Sequence, residues 1–192
     1  GKSEYLEELK KAVYLNEEMI GKATSFIQLH YKEFSSMSWV YSCGAGANYG
    51  TALESALKMG ETIHIPSCCY EIEEYIHGPN LQLTPQYNVI FFDGNDVASH
   101  RVEQVYKATR KVSNRAYLIS NNPQLVMDDH VLSLSDTVSS ELCPLVYLPF
   151  VQLLSFIISN DLHSIYQHPL LKEFKAIAAA KTENFVNYDG DD

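Results

Sequence analysis

The sequence predicts an α/β fold, a three-layer α/β/α sandwich around a mostly parallel, five-stranded sheet, with flanking helices at both chain ends. Short apolar runs alternate with helical patterns along most of the chain. Residues 88–92 are nearly all apolar, as expected of a strand covered on both faces. A strand at residues 39–43 runs into a glycine turn and then a helix, which is how α/β proteins present a turn at the carboxyl edge of a sheet.

Three segments follow from the pattern along the chain. We predict an N-terminal helical segment at residues 1–34, a central α/β domain at residues 35–160 and a C-terminal helical tail at residues 161–192. In the first segment, apolar residues recur near helical spacing among Glu and Lys. Gly21 interrupts that pattern and indicates either a break or a tight helix contact.

Strands and helices alternate through the central domain. Strands are predicted over residues 39–43, 63–66, 87–93, 115–120 and 130–134. Helical patterns cover residues 47–61, 70–76, 96–112 and 141–159. The tail carries one more helical run, at residues 170–182, after a His-Pro step. Strands separated by helices imply a parallel sheet with helices on both faces.

Charge and composition exclude several classes of function. The chain has 192 residues and a formal net charge of −10, which argues against nucleic acid as a partner. Its longest apolar segment, residues 142–158, contains Pro144 and Pro149, so we expect a buried helix rather than a membrane span. The N-terminus is polar and acidic, so no signal peptide is expected.

The cysteines and histidines predict no metal or redox site. The spacing of the four cysteines fits neither a zinc pattern nor Cys-x-x-Cys, so we interpret them as reduced, mostly buried thiols of a cytoplasmic protein. A reactive Cys68-Cys69 pair is the alternative. No metal is expected, because five histidines form no ligand cluster: His64, His100, His130, His163 and His168. No G-x-S-x-G element supports a hydrolase triad.

The predicted helix at residues 47–61 carries three charges on one face. Glu54, Lys58 and Glu61 are spaced i, i+4 and i+7. Two carboxylates around an amine can serve as an acid/base site. They can equally form an ordinary solvated stripe of little energetic consequence, and the spacing alone leaves both open.

The glycine turn before this helix predicts an anion or sugar site rather than a dinucleotide site. Its glycines form G-x-G-x-x-x-G instead of G-x-G-x-x-G, and no acidic residue is placed to hold a ribose. Amides at a helix start attract anions. We therefore assign Gly44, Gly46 and Asn48 to substrate binding and expect no cofactor.

Two blocks of this stretch carry a family resemblance. Residues 52–61 read ALESALKMGE, and a His-Gly-Pro turn begins at His77, sixteen residues after Glu61. Both blocks resemble the second sugar isomerase (SIS) domain of the glucosamine-6-phosphate synthases. The GANYG at residues 46–50 also resembles the fructosamine-6-phosphate deglycases. The likeness is strongest over residues 38–95 and extends more loosely to about residue 182. It implies the SIS version of the flavodoxin-like sandwich.

Roles follow from the resemblance. It implies that Glu61 is the base that moves a proton between C1 and C2 of an opened sugar, a task that suits a carboxylate. His77 would open the sugar ring in the neighbouring subunit's site, which implies a dimer. Glu54 and Lys58 would hold and polarise the reacting groups, and Lys181 would form a Schiff base. The alternatives are purely structural: Glu61 would be a surface glutamate, His77 would fix its own loop, and Glu54 and Lys58 would form a surface ion pair.

The implied function is one half of a sugar-phosphate isomerase, aminotransferase or deglycase. The ligand would be fructose 6-phosphate, glucosamine 6-phosphate or fructosamine 6-phosphate, in a homodimer or with another SIS domain. The alternative is a non-catalytic module that senses a phosphosugar or completes another chain's site. One departure matters: the family's Ser-x-Ser-x-x-Thr phosphate loop is absent, and the nearest candidates follow Ser42 and Ser120. Without a glutaminase domain, ammonia transfer by this chain alone is not expected.

Overall fold

A parallel five-stranded sheet forms the centre of the computed structural model, which describes residues 2–125, 128–164 and 171–178. The strands are β1 Val40–Gly44, β2 Ser67–Glu71, β3 Asn88–Asp93, β4 Ala116–Ser120 and β5 Val131–Ser133. Their order is β2-β1-β3-β4-β5, and every neighbouring pair is parallel. The predicted fold class is confirmed.

Helices cover both faces of the sheet. The described helices are α1 Lys2–Leu29, α2 Tyr31–Ser35, α3 Ala47–Lys58, α4 Ile72–Ile76, α5 Ser99–Arg110, α6 Cys143–Asp161 and α7 Leu171–Ala178. One hydrophobic cluster joins α1, α3 and α6 to one face, and a second joins α4 and α5 to the other. Strands β1, β3 and β4 are buried along their whole length, because both of their faces are covered.

The most apolar helix, α6, belongs to the core. The segment Ser140–Asp161 is long and apolar enough to cross a membrane by length and composition. It nevertheless packs against α1 and α3, and Val146, Phe150 and Leu154 are completely buried. The prediction of a buried helix at this position therefore agrees with the packing.

Helix α1 shares this core with α6. Leu15, Met19, Ala23 and Ile27 are completely buried at successive four-residue intervals. The helix runs unbroken through Gly21, and a Cβ at that position would touch nothing within 4 Å. Gly21 is therefore neither a break nor a tight contact. The domain boundary at residue 34 stays a prediction.

The strand predicted at residues 63–66 is wrong. The chain instead continues from α3 into a π-helical turn, Met59–Ile63, which ends at His64 with a left-handed φ of 62°. Two interactions hold this turn: Ile63 is buried in the core, and Thr62 Oγ1 donates to the Lys58 carbonyl at 2.8 Å. Packing thus overrides the β-propensity of the Thr-Ile-His-Ile run, and β2 begins only at residue 67.

Two glycines at the start of α3 give a test of this geometry. An added Cβ at Gly44 would lie 2.3 Å from the Asn48 carbonyl oxygen, whereas one at Gly50 would touch nothing within 4 Å. Gly44→Ala should lower the free energy of unfolding by about 1–3 kcal/mol, because backbone must move. Gly50→Ala, inside α3, should raise it by about 0.5–1 kcal/mol. Chemical denaturation measures both, and equal effects would contradict the close approach at Gly44.

Candidate functional site

A lysine lies between two carboxylates at the end of α3. Lys58 Nζ is 2.8 Å from Glu61 Oε2 and 3.5 Å from Glu54 Oε1. The hydrogen bond to Glu61 raises the pKa of Lys58, so the amine remains a cation at neutral pH. All three side chains keep between 30% and 49% of their surface exposed, so a ligand can reach them. The predicted shared face is therefore present.

The π-helical turn sets the position of Glu61. Such turns insert an extra residue into a helix and often occur at functional sites. Glu61 lies beside the edge strand β2 and lines an open groove of about 660 Å³ with Gly60, Ser67 and Tyr70. The groove thus presents one carboxylate to solvent next to the free edge of the sheet.

The outer edge of β2 is unpaired within the part of the chain that the structure describes. β2 bonds only to β1, and its five residues are half-buried. An exposed strand edge of this kind is a common place for another chain to pack. Burial raises the pKa of the Cys69 thiol, which disfavours the reactive-cysteine alternative at this edge.

His77 lies at the end of α4, on the face of the sheet opposite to α3 and Glu61. The helix begins with a capping box formed by Glu71 and Glu74, and the amide of His77 donates to the Glu74 carbonyl at 3.1 Å. Glu73 binds Arg101 of α5 through two hydrogen bonds of 2.6 and 3.1 Å. This pair anchors α4 to its neighbour and leaves the His77 side chain exposed.

The two predicted catalytic groups flank the same strand but lie on opposite faces of the sheet. Glu61 follows α3, which packs with α6, whereas His77 follows α4, which packs with α5. No hydrogen bond or ion pair joins them among the contacts of the described residues. A single described chain therefore does not assemble both groups around one sugar.

The glycine turn lies far from the charged cluster. Asn48 precedes Lys58 by ten residues of helix, which corresponds to about 15 Å. Gly46 needs its left-handed φ of 55° to enter α3. The amides of Asn48 and Tyr49 already donate to the Ala45 and Gly46 carbonyls, and Asn48 is buried. The structure thus separates Gly44, Gly46 and Asn48 from Glu54, Lys58 and Glu61.

The two serines nearest to a phosphate loop are both part of the core. Ser42 Oγ donates to Ser55 Oγ at 2.8 Å, and Ser120 Oγ donates to Asp93 Oδ2 at 2.7 Å. Both serines are completely buried. Neither is therefore available to a phosphate group.

The C-terminal tail leaves the core beside the charged cluster. Ser164 Oγ donates to the Thr62 carbonyl at 2.6 Å, one residue from Glu61. Lys181, the predicted Schiff-base lysine, lies outside the described residues. Only α7 is described further along the tail, and its Phe174 and Ile177 are exposed.

A group that the sequence analysis did not recognise lies before β5. Ligand atoms of Asp128, Asp129 and His130 come within 4.8 Å of one another. Asp129 Oδ1 is bonded to His130 Nδ1 at 2.7 Å, and Asp128 Oδ1 accepts a hydrogen bond from Tyr106 at 3.1 Å. These protein contacts already engage the ligand atoms, so we assign no metal to the group. The adjacent Asp-Asp-His in the sequence was the available signal.

The sequence and the fold were compared with those of known proteins. No family model matches the chain. A glutamine–fructose-6-phosphate aminotransferase (isomerizing) from Xylella fastidiosa is 26% identical over 165 residues, which cover 81% of this chain and 26% of that protein. The C-terminal domain of glucosamine-fructose-6-phosphate aminotransferase from Francisella tularensis superposes with a TM-score of 0.70, at 24% identity over 82% of this chain and 44% of that one. The chain has the fold of a sugar isomerase (SIS) domain.

Two further structures agree with the SIS assignment. A proposed phosphosugar isomerase from Clostridium difficile has a TM-score of 0.79 at 20% identity and covers 94% of this chain and 52% of its own. The tagatose-6-phosphate ketose/aldose isomerase of Escherichia coli has a TM-score of 0.62 at 15% identity, over 74% of this chain and 42% of its own. The chain thus spans about a quarter of the curated relative and about half of these structures.

Proposed function

We propose that this SIS chain supplies one half of a sugar-phosphate isomerase or deglycase site, which acts on a 6-phosphorylated ketose or ketosamine. The observation that carries the proposal is the position of Lys58 between Glu54 and Glu61 on an accessible helix end. The resemblance in residues 52–61 and 77–79 supports the same assignment.

Each charged group has a task in the proposed reaction. Glu61 removes a proton from C1 of the opened ketose, and returns it to C2 through an enediol intermediate. The Lys58 ammonium stabilises negative charge that develops on the sugar oxygens. Glu54, 3.5 Å from Lys58, keeps the amine in place while Glu61 turns to the substrate. The proton held by Glu61 exchanges with solvent while the enediol exists, and the sugar undergoes no net oxidation or reduction, so the step needs no cofactor.

A second SIS domain is required to complete this site. Glu61 and His77 lie on opposite faces of the sheet and flank the same free edge, so a partner at that edge would bring its own histidine to this Glu61. The missing phosphate loop leads to the same requirement. The partner is a second copy of this chain or another SIS domain, and a cytoplasmic location remains part of the proposal.

We keep Lys181 in the proposal as the Schiff-base lysine, and it lies outside the described residues. In the sequence it follows Ser164 by 17 residues, and Ser164 Oγ donates to the carbonyl of Thr62, next to Glu61. A Schiff base there would hold an open ketose by its C2 carbonyl, with loss of water.

Isotope exchange tests the proposal. Incubation with fructose 6-phosphate in deuterated water should place deuterium at C1 of the recovered ketose and at C2 of any aldose product. Proton NMR follows both positions, with fructose as the control that lacks the phosphate. Any second SIS chain encoded by a neighbouring reading frame belongs in the assay. Absence of exchange would contradict the catalytic role.

A non-catalytic phosphosugar module is the second candidate. It is favoured by the 2.8 Å ion pair between Lys58 and Glu61, which occupies the proposed base, and by the burial of Ser42 and Ser120. Calorimetry separates the candidates. Binding of fructose 6-phosphate without exchange would support a sensor, and neither binding nor exchange would support a structural partner.

A further inference from the structure

A second polar pocket lies at the amino edge of the sheet, under the ends of α1 and α5. Its volume is about 550 Å³, within the range of small-molecule sites. Its walls come from four separate parts of the chain and include Glu33, Arg110, Arg115 and Asp129. The imidazoles of His30 and His130 also line it, with ring centroids 4.4 Å apart.

A buried tyrosine packs against the two histidines that line this pocket. Tyr117, on β4, is completely buried, and its hydroxyl has no hydrogen-bond partner among the residues that the structure describes. Its ring stacks on His130, with centroids 5.4 Å apart and planes 18° apart. The charges of Glu33, Arg115, Arg110 and Asp129 act on its hydroxyl, and all four residues line the pocket. Buried hydroxyls are normally bonded, so this one is an available donor directly behind the histidines of the pocket wall.

Among the charged residues that line this pocket, Arg115 and Glu33 have no ion pair within the described part of the chain. Asp129 accepts a hydrogen bond from His130, and Asp128 lies 3.9 Å from Arg110 Nε. Arg115 donates to the Ser36 carbonyl at 3.3 Å and forms no ion pair with any described carboxylate. Its remaining guanidinium N–H groups are therefore available. Burial raises the pKa of Tyr117, so its hydroxyl also stays protonated and can donate.

From this geometry we infer a binding site for a small metabolite that carries an oxyanion, either a phosphate or a carboxylate. Arg115 holds the oxyanion through charge-assisted hydrogen bonds, and the Tyr117 hydroxyl donates to it from behind the histidine wall. His130, which is 15% exposed, stacks on the Tyr117 ring and lines the pocket on that side. Glu33 accepts from hydroxyl or amino groups on the rest of the ligand. The volume leaves room for more than an inorganic ion.

This site is separate from the proposed isomerase site. β2, which carries the Glu61 groove, and β4, which carries Tyr117, are three strand spacings apart, or about 14 Å. No residue is common to the two pockets. The inference therefore does not depend on the proposed function, and either can fail without the other.

Binding of simple oxyanions tests the inference. The complete chain is titrated with sodium phosphate and, in a second arm, with sodium acetate, at ionic strength held constant with sodium chloride. We expect saturable millimolar binding, followed by NMR and by an increase in Tm. A stronger response to phosphate identifies a phosphorylated ligand, and a stronger response to acetate identifies a carboxylate. No saturable response to either ion would overturn the inference.

Three variants locate the binding. Arg115→Gln should weaken it at least about tenfold, because a charged donor is lost. Tyr117→Phe should weaken it several-fold without lowering the Tm of the ion-free protein, because its hydroxyl has no protein partner to lose. Tyr75→Phe is the matched control: its hydroxyl is bonded to Thr109 at 3.0 Å, so Tm should fall while the ion response is kept. Unchanged binding in Arg115→Gln and Tyr117→Phe would place the ion elsewhere and refute the site.

Discussion

Replacing Glu61 by Gln should lower turnover of a 6-phosphorylated ketose at least about 100-fold, while the affinity for the sugar phosphate changes little. The amide has nearly the size of the carboxylate and can still accept a hydrogen bond from Lys58, which lies 2.8 Å away. It cannot accept the C1 proton. The loss should therefore appear in kcat and in deuterium exchange, with the dissociation constant from calorimetry preserved.

A matched control separates the base from a general charge effect. Glu103 on α5 is also ion-paired to a lysine, with Lys107 Nζ 3.3 Å from its carboxylate, and it lies outside the Glu61 groove. Glu103→Gln makes the same chemical change and should leave turnover unaltered. A fully active Glu61→Gln protein would exclude this carboxylate as the base, and the non-catalytic reading would then be preferred.

Mixing two inactive variants should restore activity if the site is shared between copies of this chain. His77→Asn removes the ring-opening group and Glu61→Gln removes the base. In a hybrid dimer, the intact Glu61 of one subunit meets the intact His77 of the other at one of the two sites. Random mixing makes about half of the dimers hybrid, so about a quarter of the wild-type rate should return. The placement of the two residues on opposite faces beside one free strand edge is the reason to expect this.

The mixed sample needs its own controls. Subunit exchange is verified with two affinity tags, and each variant alone should stay inactive on the cyclic sugar. His77→Asn should retain more activity on a substrate that is already open-chain, because it affects ring opening rather than proton transfer. Tagged hybrids that show no recovery would refute sharing between copies and would direct attention to a different SIS partner.

Much of the fold could be predicted because its signals are local. Residues 88–92 are apolar without interruption, which predicts a strand covered on both faces, and β3 lies between β1 and β4. The strand predicted at residues 63–66 failed for the converse reason. Ile63 is held by the core, so contacts with distant segments decide the conformation of this short β-branched run.

The candidate site also has one part that local sequence predicts and another that depends on distant contacts. The shared face of Glu54, Lys58 and Glu61 follows from helical periodicity, which any reader can count in the sequence. The burial of Ser42 and Ser120 could not be counted in this way, because it depends on the layers that cover β1 and β4. The pocket beside Tyr117 is lined by four segments that are far apart in the chain, so no pattern of residue spacing in the sequence predicts it.

The sequence by itself determined the alternation of strands and helices and the charged face of α3, because both depend on residues within one or two turns of each other. Only the tertiary structure decided that Glu61 and His77 lie on opposite faces of the sheet. The physical reason is that helices adjacent in sequence pack on whichever face buries their apolar side. The positions of their polar residues follow from that packing.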